Sequence, residues 1–189
     1  MRKNIIAIAL ILVSPFLHAQ SLNFQGKLTN VKEAAIVTLV DGVTSKELVT
    51  GKSIAGNFSL EVQLEYPSLL ILSIEGITQK IPVFLGNEHV LIEGDIQNMA
   101  SLNVTGSVSH DVYNLYMNSL NPKMMPYITN MQAANTEKNT AKKDSLNSLA
   151  NSQSKEIITT FNNLCKANSA SPVTTLMLLQ FSNIFPEIK

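Results

Sequence analysis

The chain has 189 residues, with 14 Lys and Arg against 14 Asp and Glu, and a single cysteine. That balance leaves no basic footprint for nucleic acid and no polybasic stretch for anionic lipid. One cysteine excludes an intrachain disulfide and any Cys-x-x-Cys dithiol chemistry carried by these residues alone, so stability has to come from packing.

The first element is read as an address. Arg2 and Lys3 form a basic n-region, Ile5 to Val13 a continuous apolar run, and Leu17-His18-Ala19 a cleavage site with a small residue before the cut. The run is shorter than the roughly 20 residues that span a bilayer, and there is no cysteine near the site to carry a lipid. The expectation is a signal peptide over residues 1–19, with a retained N-terminal anchor as the alternative. Cleavage leaves 170 residues, and removal of Arg2 and Lys3 leaves 12 basic against 14 acidic side chains. The mature chain, expected to be exported, is long enough for one ordinary domain or two small layers sharing a core.

From Leu22 to about Gly106 the pattern is that of strands. Leu22 to Leu28 alternates apolar and polar residues, and "AAIVTLVDG" is a β-branched run closed by Asp41-Gly42. Next comes "VTGKSIAGNFSL", whose Gly51-Lys52-Ser53 matches the last three letters of a phosphate-binding loop. The loop needs a glycine at position 46, where Lys46 stands, and a helix after the serine. Instead the chain runs through Gly56-Asn57 into a strictly alternating strand, with Phe58, Leu60, Val62 and Leu64 on one face. The three letters are therefore read as a strand leading into a hairpin turn at Gly56-Asn57. "SLLILSIEG", "ITQKIPVFLG", "EHVLIEGD" and "SLNVTG" complete the series, with Pro82 assigned to an edge strand or bulge. Seven or eight short strands, with turn signals about every 8–12 residues, predict a sandwich or barrel. No intervening loop has room for a crossover helix, so mainly antiparallel sheets are expected.

At "GSVSHDVYNLYMNSL" the period changes to helical. Ser107 or Ser109 is the candidate cap, Val108, Val112, Leu115 and Leu120 the apolar stripe, and Asn121-Pro122 the predicted stop. Residues from about Met131 to Glu156 contain no Pro or Gly and read as one long exposed helix, either a solvated face or a partner-binding arm. Ile157, Phe161 and Leu164 then form a stripe, "ANSASP" a break, and Pro172 the first turn of a last helix reaching about Phe185. The predicted class is α+β: an antiparallel β-sandwich or barrel-like layer over residues 20–106, followed by a helical segment over 107–189 that packs on it or extends from it.

Few residues carry chemistry. Cys165 sits near the apolar side of a helix and is read as an inert small hydrophobe. Beyond the leader the histidines are His89 and His110, far apart in sequence. Glu88-His89 and Glu93-x-Asp95 have no specific metal spacing and are read as solvated strand ends. No Gly-x-Ser-x-Gly elbow supports a hydrolase triad, and Asp144-Ser145-Leu146 is a three-letter match to an envelope O-glycosylation tripeptide. The sequence assigns no catalytic, cofactor-binding or metal-ligating residue.

The order of these features is similar to a known arrangement. Phe24-x-Gly26-x-Leu28, Gly56-Asn57-Phe58, Gly86, Gly94-Asp95 and Val104-x-Gly106-Ser107, with helices after them, resemble the all-β N-terminal domain of unknown function that precedes the thioredoxin-like domain in bacterial TlpA/AhpC-type thiol:disulfide interchange proteins. The resemblance implies an exported protein of the periplasm or cell envelope of a Gram-negative bacterium, with a β layer and trailing helices, and a thioredoxin-like domain or another envelope protein as partner. The family's Trp-Cys-x-x-Cys motif lies in that second domain and Cys165 does not match it, so no catalytic residue carries over. The expected function is that of a non-catalytic accessory or client-binding module, with a stand-alone ligand-binding sandwich, its ligand in one apolar mouth, as the alternative.

Overall fold

The computed structural model describes residues 21–188; the leader predicted over residues 1–19 lies outside them. The described residues form eight strands and three α-helices, the α+β order that the sequence predicts. The strands are β1 (Leu22–Thr29), β2 (Ile36–Asp41), β3 (Glu47–Lys52), β4 (Asn57–Val62), β5 (Ser68–Ile74), β6 (Ile81–Leu85), β7 (His89–Asp95) and β8 (Asn103–Thr105). They divide into two four-stranded sheets, β4-β1-β7-β8 and β3-β2-β5-β6. Period-2 alternation buries Phe24, Leu28, Phe58 and Leu60 from the first sheet against Val37, Leu39, Leu70 and Leu72 from the second.

Five of the six strand pairings are antiparallel, and β1 with β7 is parallel, Phe24 opposite Val90. The expectation of mainly antiparallel sheets rests on the lack of room for a crossover helix. The chain makes this parallel connection by way of β4 and the whole second sheet, so no helix is needed.

The turn at Gly56 also differs from a plain hairpin. Ile54 and Asn57 exchange both backbone hydrogen bonds, at 2.8 and 2.9 Å, around Ala55 and Gly56, whose φ values are +50° and +79°. Locally this is the primed geometry of a two-residue hairpin. The flanking strands part, however: β3 pairs with β2 in one sheet and β4 with β1 in the other. The turn is a corner joining the two layers. Any Cβ at Gly56 would be driven into the Leu28 carbonyl oxygen.

Three helices follow the strands among the described residues: α1 (Val108–Thr136), α2 (Thr140–Ala167) and α3 (Pro172–Ile184). Ser107 caps α1, its Oγ accepting from His110 N at 3.1 Å, and Ser171 caps α3 with Pro172 in the first turn. Asn121-Pro122 does not end the first helix, which continues through Pro122 and Pro126. Proline in a helix interior costs about 3 kcal/mol. Packing on both sides of the interruption offsets that cost: Tyr116 and Leu120 are buried before it, and Met124 and Tyr127 pack into the same cluster after it. The predicted stripe holds only in part: Leu120 is buried and Val112 packs against the helical cluster. Val108 and Leu115 are exposed, and the buried face is His110, Tyr113, Tyr116 and Leu120.

The single helix expected over 131–156 is two helices. The Glu137 carboxylate accepts from the amides of Lys138 and Asn139, and the Asn139 side chain caps Lys142 N at 3.0 Å, so the chain reverses without Gly or Pro. α2 returns antiparallel to α1. Fully buried Ala134 and Ala150 lie on the two facing helices, Asn130 donates to Gln153 at 3.0 Å, and Lys123 pairs with Glu156. The polar arm's partner among the described residues is therefore α1.

Corner geometry and edge exposure give opposite expectations for two neighbouring residues. Gly56→Val puts a β-branched side chain at positive φ against a backbone carbonyl, and is expected to cost about 2 kcal/mol or more. Lys52→Ala, on an exposed position of edge strand β3, is expected to stay within about 0.5 kcal/mol. Urea unfolding midpoints of the two variants measure the difference.

Candidate functional site

The helices meet the sandwich at β6, the outer strand of its sheet. Pro82 and Phe84 share one parity on β6, which aims their outer backbone groups away from β5. Pro82 has no N–H to lose there, as expected of an edge position. Phe84 is closed off by the start of α1. Its N–H donates to His110 Nδ1 at 3.3 Å, and its carbonyl accepts from Ser107 Oγ at 3.4 Å. Ser107 thus caps the helix and the sheet edge with one hydroxyl. The Phe84 ring faces the helices, 6.5 Å from the Tyr113 ring, while Val83 and Leu85 face the sandwich core.

These contacts define the state of His110. Nδ1 accepts a hydrogen bond, so the neutral ring carries its proton on Nε2. The side chain is 4% exposed. Burial pushes the imidazole below its ordinary value, against the smaller opposing pull of Asp111 and Glu88. Nε2 has no hydrogen-bond partner among the described residues, yet it is not a sealed, unsatisfied atom. His110 lines a cleft of about 340 Å³ between the β6 and β8 edges, at the mouth of the sandwich under the first turns of α1. Ile81, Pro82, Met99, Leu102 and Val104 form its apolar walls, with Lys80, Asn103 and Asn114 among its polar groups.

Two smaller clefts, of about 300 and 270 Å³, flank exposed Tyr66 beside the β2–β3 turn. The Asp41 Oδ1 there already accepts from Val43 N, Thr44 N and Thr44 Oγ1, and these bonds hold the carboxyl below its ordinary value. That oxygen serves the turn, whereas His110 Nε2 has no hydrogen-bond partner among the described residues.

The other residues singled out from the sequence do not converge. Gly51 and Lys52 end β3, and Ser53 is buried, its N–H on Ala35 O and its Oγ on Lys32 O; a turn and β4 come after it, with no helix. His89 is exposed, Glu88 accepts from Gly86 N, Glu93 pairs with Lys27, and Asp95 accepts from Asn30 and Gln97. Among the described residues no three His, Cys, Asp or Glu side chains gather as a metal site. Cys165 is half-buried in the helical cluster, 3.6 Å from the Tyr116 hydroxyl, which also lies 3.0 Å from Thr174 Oγ1. Burial pushes the Tyr116 phenol up to about 12, so it stays protonated. Asp144 and Ser145 lie exposed in the first turns of α2.

The sequence alone does not single out His110 as the centre of a site. The available signal is Ser107-x-x-His110, which puts the imidazole three residues after the cap, where a side chain reaches back over the helix start.

No protein-family model matches the chain, and no curated protein sequence matches it either. No helix among the described residues is long and apolar enough to cross a membrane.

A His held neutral by burial makes stability depend on pH with a definite sign. Above about pH 6.5 folded and unfolded chains both carry neutral His110, and the dependence is flat. As pH falls through that value the unfolded chain takes up a proton that the folded chain refuses, so stability is lost downward from about 6.5. Wild-type protein is expected to show a lower urea midpoint at about pH 5.5 than at about 7.5, and His110→Gln a smaller difference between the two. An equal difference in both proteins would assign the effect elsewhere.

Proposed function

We propose that this chain is a non-catalytic module of the Gram-negative cell envelope, accessory to thiol:disulfide interchange proteins and binding a thioredoxin-like partner or its client. One observation supports this reading: residues quoted for the family resemblance fall where the fold's connections demand them. Gly106, with φ +91°, turns the chain from β8 into α1, and a Cβ there would be driven into the His89 carbonyl oxygen. Ser107 beside it carries both the helix cap and the bond to Phe84. The quoted Val104-x-Gly106-Ser107 is thus the device that seats the helices on the sheet edge.

A second reading, a stand-alone ligand-binding sandwich, is favoured by the cleft at the β6–β8 mouth with its buried imidazole. A ligand held there raises the melting temperature by mass action.

The accessory reading has a direct assay. Insulin reduction by dithiothreitol should run at its uncatalysed rate with this chain present, and Cys165→Ser should leave that rate the same. Added to the thioredoxin-like domain of a TlpA-type protein, the chain should change that domain's turnover. Reduction accelerated by the chain alone would overturn the non-catalytic reading, and an unaltered partner would overturn the accessory one.

A further inference from the structure

The cleft at the sandwich mouth has a chemistry narrow enough to name its ligand. Its lining is half apolar, from Ile81, Pro82, Met99, Leu102 and Val104, and half polar, which suits a ligand with one apolar and one polar part. Its volume, about 340 Å³, lies at the low end of the roughly 300–1,000 Å³ typical of small-molecule sites, which fits one short chain or ring. His110 lines the cleft, and its Nε2–H is left as a donor because Nδ1 is committed to Phe84. The one charged side chain lining it is Lys80, and the amides of Asn103 and Asn114 supply further donors. The apolar half, a donor on a buried imidazole and a single exposed cation together suit an amphiphilic molecule with an apolar tail and an anionic acceptor at one end.

We propose that the cleft binds a small apolar monocarboxylate, its tail against Ile81, Met99, Leu102 and Val104 and its carboxylate on His110 Nε2–H and the Lys80 ammonium. This deepens the ligand-binding reading of the same mouth and rests on it. His110 then acts twice: Nδ1 holds the sheet edge and Nε2 holds the ligand. Protonating the ring would put a second donor against the Phe84 N–H, so the neutral tautomer is the binding form.

The test uses the mature protein at about pH 7.5, where His110 is neutral, with four probes of one chain length: octanoate, octanamide, octanol and octylammonium. The His110 ring resonance is followed by NMR, with the exposed His89 ring as internal control. Octanoate is expected to shift the His110 resonance saturably, leave His89 in place and raise the melting temperature. Octanamide and octanol should bind at least tenfold more weakly, and octylammonium should not perturb His110. Lys80→Gln, an exposed substitution that leaves the fold intact, should weaken octanoate about tenfold and leave octanamide unchanged. Octanamide binding as tightly as octanoate, or Lys80→Gln binding octanoate as wild type does, would overturn the carboxylate assignment while keeping the mouth as a ligand site. All four probes leaving His110 unmoved would overturn both.

Discussion

The outer backbone of Phe84 is the constraint on which the molecule depends. An edge strand exposes donors and acceptors that invite another chain, and a strand covered by helices must have those groups paired before they are buried. Here a single residue's N–H and C=O are taken by His110 and Ser107, both from the start of α1. The pairing lets three consecutive apolar residues be useful at once. Val83 and Leu85 fill the sandwich core, while Phe84 seeds the cluster formed with Tyr113, Tyr116, Phe161 and Phe181. Burying a side chain of this size contributes about 1.5–3 kcal/mol, but only because the backbone beneath it is satisfied.

The remaining helical packing builds on that anchor. Tyr116 meets Phe161 edge-on at 6.1 Å, and Phe161 stacks on Phe181 at 4.6 Å, which ties α1 to α2 and α2 to α3. Beyond this aromatic centre the α1–α2 hairpin is thin, with only Ala134 and Ala150 fully buried along its outer part among the described residues. The same anchor shapes the mouth of the sandwich. By accepting from Phe84, His110 is held in one tautomer, with its proton on Nε2, and the residue lines the cleft between β6 and β8.

Much of this is legible in the sequence wherever the signal is local. Strand alternation locates β1 and β4, Pro82 marks the edge, and Ser107 and Pro172 mark helix starts. The misreadings come from places where distant packing outweighs local preference. Pro122 fails to stop α1 because buried residues on both sides hold the helix together. The break at Glu137–Asn139 escapes notice because side chains make it and no Gly or Pro is present. The turn at Ala55-Gly56 looks like a hairpin because its backbone is one; which sheet each strand joins is decided by residues far away in the chain. His110 is not recognisable as the centre of the site, since its role needs Phe84, 26 residues earlier, to be its neighbour.

If the helices close the β6 edge through Phe84, amide hydrogen exchange at that residue is the decisive measurement. The Phe84 N–H points away from β5, and the bond to His110 is what shelters it. Its protection should then equal that of the buried β5 amides, with exchange only when sandwich and helices unfold together. Exchange at Phe84 at the rate of an open strand edge, with β5 still protected, would contradict that closure.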